Sequence, residues 1–85
     1  MSSRRSRLSI YYDILKACRV PSPPTRIMFK AALNYRSVTE YINFLANLGL
    51  LEKKVQKGRV LYKTTREGEK LLRTLENVRK VVKEL

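Results

Sequence analysis

From Leu8 onward apolar residues recur at spacings of three and four: Leu8, Tyr11, Ile14, Leu15 and Cys18. That period predicts a helix from about Arg7 to Arg19, with Tyr12, Asp13 and Lys16 on its outer side. Val20-Pro21-Ser22-Pro23-Pro24 ends it, because proline has no amide to donate and restrains the residue before it. Pro24 suits the first turn of a short second helix, Thr25 to Ala32, with Ile27, Met28 and Ala31 inward and Arg26 and Lys30 outward. Leu33-Asn34-Tyr35 forms a tight connection in which Asn34 is the residue most tolerant of a left-handed conformation. A third helix follows, with Ser37 as its N-cap, Glu40 at capping-box spacing and Gly49 as its terminator. One side of it carries Val38, Tyr41, Ile42, Leu45 and Leu48, the other Arg36, Thr39, Glu40, Asn43 and Asn47.

Beyond Gly49 the period shortens. Residues 51–56 and 60–64 are β-prone runs on either side of Lys57-Gly58, which reads as a hairpin. Next, Thr64 and Glu67 stand at box spacing, or Thr65 is itself the cap, and a last helix runs to the C-terminus. Its Leu71, Leu75, Val78, Val82 and Leu85 are spaced 4-3-4-3, the seam of a coiled coil, with Leu72 and Val81 widening the stripe. A helix of about twenty residues is roughly 30 Å long, more than so small a domain covers, so the uncovered stripe predicts a partner, and a second copy of the chain is the simplest one. Two short helices joined by a tight turn read as a helix-turn-helix, and the attached hairpin as its wing. The fold class is therefore α+β, mostly helical. Residues 1–7 form a basic arm, 8–66 a winged helix-turn-helix domain and 67–85 a dimerisation helix.

Charge narrows the partner. The 85 residues hold 19 Lys and Arg against 7 Asp and Glu, a formal net charge of +12. Such an excess opposes a compact state unless an anion is near, and nucleic acid is the first candidate. The excess is uneven: 14 basic and 3 acidic residues fall in 1–66, against 5 and 4 in 67–85. Lys53, Lys54, Lys57, Arg59 and Lys63 concentrate it in the hairpin, and Arg4, Arg5 and Arg7 in the arm. A polar helix face beside a basic wing suits base edges and phosphates respectively; the plainer reading of the third helix alone is an amphipathic helix with a solvated face. Histidine is absent, which removes the usual general base, Ser-His triads and histidine metal ligands, and the three glycines form no phosphate-cradling loop. An enzyme is not expected, nor any cofactor, metal or small-molecule ligand. The single Cys18 reads as a buried thiol. No apolar run is long enough to span a membrane and the N-terminus lacks an apolar signal core, so a cytoplasmic, nucleoid-associated protein is expected.

Four linked runs carry a family likeness: residues 25–35, Tyr41-Ile42-Asn43-Phe44-Leu45, Leu48-Gly49-Leu50-Leu51, and Tyr62-Lys63-Thr64-Thr65-Arg66-Glu67-Gly68. Together they resemble the archaeal winged-helix family of small, basic, ten-kilodalton DNA-binding proteins, over nearly everything from Tyr11 to Leu72. The resemblance implies an elongated dimer with two DNA-binding heads, its C-terminal helices paired antiparallel as a coiled coil. It also implies that Arg36, Thr39, Glu40 and Asn43 lie on the recognition helix and Lys57 to Arg59 at the wing tip. The seam offers only about two heptads, and the arginine arm is not part of the likeness.

The expected function is double-stranded DNA binding by a homodimer, as a transcriptional regulator or an architectural chromatin protein, through the recognition helix 37–48 and the wing 53–63. The candidate DNA contacts are Arg36, Ser37, Thr39, Glu40, Asn43 and Asn47, with Arg26, Lys30, the hairpin cations and the arm arginines. A protein-interaction module is the alternative from another class, which the lysine-rich wing disfavours, and RNA binding a third, for which exposed aromatics are scarce.

Overall fold

The computed structural model describes residues 6–82. Its elements follow the order α1 (Arg7–Ala17), α2 (Pro24–Ala31), α3 (Tyr35–Asn47), β1 (Leu51–Gln56), β2 (Arg59–Thr64) and α4 (Arg66–Val81). Arg4, Arg5 and Leu85 lie outside the described residues.

One core joins all four helices to the base of the hairpin. Ile14 and Leu15 of α1 and Cys18 at its C-cap meet Ile27 and Ala31 of α2, Val38, Ile42 and Leu45 of α3, Leu51 of β1, and Leu72 and Leu75 of α4. Tyr12, expected outside, is buried: α4 covers that flank of α1, and the Arg79 guanidinium lies 4.7 Å from the Tyr12 ring centroid. Conversely, Leu8 and Leu48, expected inside, are exposed. Burial pushes the Cys18 thiol up to about 12, so it stays protonated in the core.

Local chemistry sets most element ends. Gly49 takes φ 77° after α3, and Leu50 N–H donates back to the Leu45 carbonyl at 2.9 Å, closing the last turn. Lys57 and Gly58 both adopt positive φ, 52° and 75°, as a two-residue hairpin matching the strand twist requires. Thr65 is the cap of α4: its hydroxyl accepts from Gly68 N–H at 3.0 Å and donates to the Gly49 carbonyl at 2.6 Å. The neighbouring Thr64 is a core hydrogen bonder, its hydroxyl donating to the Leu15 carbonyl at 2.7 Å.

Two boundaries differ from expectation. The left-handed residue between α2 and α3 is Ala32 (φ 56°, ψ 50°), whereas Asn34 is extended (φ −82°). Asn34 rather than Ser37 caps α3, its Oδ1 accepting from Ser37 N–H at 2.8 Å, so the helix starts at Tyr35 and Ser37 lies inside its first turn. Glu40 then points not to a cap but to Arg36 one turn earlier, at 3.8 Å. A further rung lies outside the hairpin: Ser22 N–H donates to the Tyr62 carbonyl at 3.0 Å and Tyr62 N–H to the Ser22 carbonyl at 2.8 Å. The proline segment is thus a short edge partner of β2, anchoring the wing to the start of α2.

α4 ends at Val81, with Val82 extended (φ −112°, ψ 98°), so its 16 residues are shorter than the run to the C-terminus expected. Leu72 and Leu75 are sealed in the core and Leu71 is half-buried, while Val78, Val81 and Val82 are exposed. Leu75, expected in an intermolecular seam, is therefore used within the chain, because α1 packs along that side of α4.

Candidate nucleic-acid interface

α3 presents Arg36, Glu40, Asn43 and Asn47 to solvent on the side away from the core. Thr39 is half-buried on the same side, its hydroxyl donating to the Tyr35 carbonyl at 2.8 Å. Ser37 does not belong to this face. Seven residues bring a helix back to within about 20° of the same direction, so Ser37 shares the side of Phe44, which stacks on Tyr11 of α1. Tyr35, by contrast, joins the polar stripe with Thr39 and Asn43 at spacings of four. A helix beginning at Ser37 excludes Tyr35 from this face; with Asn34 as cap, the spacing of four places it there.

The wing stands beside that stripe. Successive strand residues alternate faces, and the pairing Leu51 with Thr64, Lys53 with Tyr62 and Val55 with Val60 puts these six side chains on the face turned to the helices. Accordingly Lys53, Val60 and Tyr62 line a cleft of about 240 Å³ with Pro24, Tyr35, Thr39, Ile42 and Asn43. The reverse face carries Glu52, Lys54, Arg59, Leu61 and Lys63. There Lys54 Nζ lies 3.1 Å from Glu52 Oε2. Lys63 lies near Glu69, whose carboxyl is held below its usual range first by the hydrogen bonds from Arg19 and then by the positive charge of Arg19, Arg73 and Lys63. The hairpin cations thus divide: Lys53 faces α3, Lys57 sits at the exposed tip, and Lys54, Arg59 and Lys63 lie on the other side.

Arg26 and Lys30 are not brought to the α3–wing cleft. One turn apart on α2, they line a separate groove of about 420 Å³ with Asp13, Lys16 and Ala17 of α1, Val20 and Ser22. Arg7 is exposed at the first position of α1 and lines a third cleft with Tyr11, Glu40, Tyr41 and Phe44. Among the described residues no group of three or more Cys, Asp or Glu could hold a metal ion, and no helix is long and apolar enough to cross a membrane.

A helix-turn-helix whose second helix exposes a polar face, flanked by a two-stranded wing, defines the winged-helix class. Residues 4–83 match the model of the winged helix-turn-helix family, and the chain belongs to that family. An uncharacterized protein of Methanocaldococcus jannaschii is 32% identical over 73 residues, 85% of this chain and 71% of that protein. The fold is similar to the crystal structure of Sso10a-2, a DNA-binding protein from Sulfolobus solfataricus, with a TM-score of 0.86 and 29% identity over 93% of this chain and 83% of the other. The likeness to small archaeal winged-helix proteins read from the sequence is thereby upheld. Sco5413, a MarR family transcriptional regulator from Streptomyces coelicolor, superposes with a TM-score of 0.76 at 19% identity, over 86% of this chain and 54% of the regulator. That last likeness is one of fold, and the chain spans about half the regulator's length.

Proposed function

We propose that this chain binds double-stranded DNA, with α3 in the major groove and the wing along the phosphate backbone. The observation that carries the reading is the α3–wing surface. Base-edge donors and acceptors on Asn43 and Thr39 stand beside Lys53, Asn47 is exposed on the same helix face, and among the described residues Glu40 is the only carboxylate on that face, offset by Arg36. Amides and guanidinium groups suit base edges, and cations beside them neutralise phosphates. The DNA-binding description of Sso10a-2 points the same way. The exposed Val78 and Val81 of α4, with Val82 just beyond it, are the surface on which a second copy would pair, giving a homodimer with two heads. Its place would be the cytoplasm, on the nucleoid, as a transcriptional regulator or an architectural protein.

The test is affinity for a random 30-base-pair duplex and for fragments containing the gene's own upstream region, across a salt series. Lys53→Glu is expected to weaken binding to every duplex and to lower the slope of log affinity against log salt by about one unit, while Lys54→Glu, on the reverse face, changes it less. Binding by Lys53→Glu that is indistinguishable from wild type at every salt concentration would remove the wing from the interface. A preference of about a hundredfold for one fragment, roughly 2.7 kcal/mol, would identify a regulator reading bases; equal affinities with a steep salt slope would identify an architectural protein.

A further inference from the structure

The polar face of α3 has two flanks, and only one is occupied by the wing. On that flank Tyr35, Thr39, Ile42 and Asn43 share a cleft with Lys53. On the other, Glu40, Tyr41 and Phe44 share a cleft of about 250 Å³ with Tyr11 and Arg7 of α1. At about 100° per residue the two sets point to nearly opposite sides of the helix, and the direction between them is the one that Arg36, Asn43 and Asn47 face. The start of α1 is held against this second flank. Ser6 caps it, accepting from Ser9 N–H at 3.0 Å. Tyr11 stacks on Phe44 with centroids 5.6 Å apart, and Tyr41 meets Tyr11 edge-on at 5.9 Å. Arg7 is consequently exposed at a determined place on the rim, across from Glu40, whose carboxylate already lies 3.8 Å from Arg36. Two guanidinium groups against one carboxylate leave this rim positive, and they compensate the acidic side chain that would otherwise repel a phosphate.

We propose that the start of α1 is a second phosphate clamp: Arg7 meets the DNA strand bordering the major groove on the side away from the wing. This rests on the DNA-binding reading above. The major groove is about 12 Å wide and bounded by a phosphate strand on each side, so a helix lying in it has one strand on each flank. The wing takes one strand and Arg7 the other.

The experiment is hydroxyl-radical footprinting of wild-type, Arg7→Glu, Arg7→Gln and Lys53→Glu proteins on a duplex that the wild type binds, with affinities measured across a salt series. Arg7→Glu is expected to weaken binding to every duplex about tenfold and to abolish protection on the strand away from the wing while wing-side protection persists. Lys53→Glu gives the mirror pattern, and Arg7→Gln an intermediate one with a salt slope lower by about one unit. Arg7 is exposed, so unchanged thermal unfolding would accompany these losses. An Arg7→Glu footprint and affinity matching wild type would overturn the clamp and leave the α3–wing interface standing. Absence of DNA binding by the wild type would overturn the DNA-binding reading itself.

Discussion

Gly68 lies at a close junction between elements, and filling it should cost stability in a calculable way. It is the third residue of α4, and its N–H donates to Thr65 Oγ1 at 3.0 Å. A Cβ built there would overlap the Leu50 carbonyl oxygen and stand 2.7 Å from Thr64 Cγ2, where carbon pairs prefer about 3.5–4.0 Å. Neither neighbour is free to withdraw. The Leu50 carbonyl accepts from Thr65 N–H at 3.1 Å, and Thr64 is tied by its hydroxyl to Leu15 and by its N–H to the Cys18 carbonyl at 2.8 Å. Relief therefore means opening the seam where α3 ends, β2 ends and α4 begins by about an ångström. Overpacking of that kind costs about 1–3 kcal/mol, and losing the Leu50 hydrogen bond about 1 more. Alanine returns up to about 1 kcal/mol through its better helix propensity. Gly68→Ala should thus lose about 2 kcal/mol, a fall in Tm of roughly 8–16 °C for a domain of this size. Thermal and urea unfolding followed by circular dichroism at 222 nm would measure it. A Tm equal to or above wild type would show that propensity outweighs the clash and that the junction has slack, refuting the close packing argued here.

Other perturbations act elsewhere in the molecule. Ala32→Gly should raise stability by about 0.5–1 kcal/mol, since alanine at φ 56° carries a left-handed penalty that glycine does not; a lower urea midpoint would contradict this. The Glu69 carboxyl is depressed by Arg19, so the pair's contribution is present above the ordinary carboxylate value of 4.5 and is lost as pH falls through the lower folded value. Because both side chains are partly exposed, the pair is worth about 0.5 kcal/mol. Glu69→Gln should accordingly unfold a little earlier than wild type at pH 7 and together with it at pH 3, and a constant difference across that range would exclude the linkage. Val78→Lys with Val82→Lys should leave a folded head, since both positions are exposed, but one that sediments as a monomer and binds DNA more weakly because two linked heads gain from effective concentration. A dimer in that variant, or a monomeric wild type, would remove α4 as the pairing surface.

What lay within the sequence by itself were the features decided over a few residues. The three-and-four spacing of Ile14, Leu15 and Cys18, the glycine closing α3 and the Lys57-Gly58 turn each depend on groups within one or two turns of chain. From them came the element order, the helix-turn-helix and the wing, and the formal charge of +12 pointed to an anionic partner. Even a local expectation failed at one point: Ser37 reads as the cap of α3, but Asn34 takes that role and the helix begins earlier, at Tyr35. Tertiary structure decided which side each residue faces. Tyr12 is inside because α4 arrives from far along the chain to cover it, and Leu75 is spent in the core for the same reason. The wing's cations were countable in sequence, but only the register of β1 on β2 divides Lys53 from Lys54 and Lys63. Likewise Arg26 and Lys30 face α1, and Arg7 stands beside Glu40, through packing between helices that no local pattern encodes. Conformational preferences of short segments are set by neighbours in sequence, whereas the direction a surface faces is set by which distant element buries its other side.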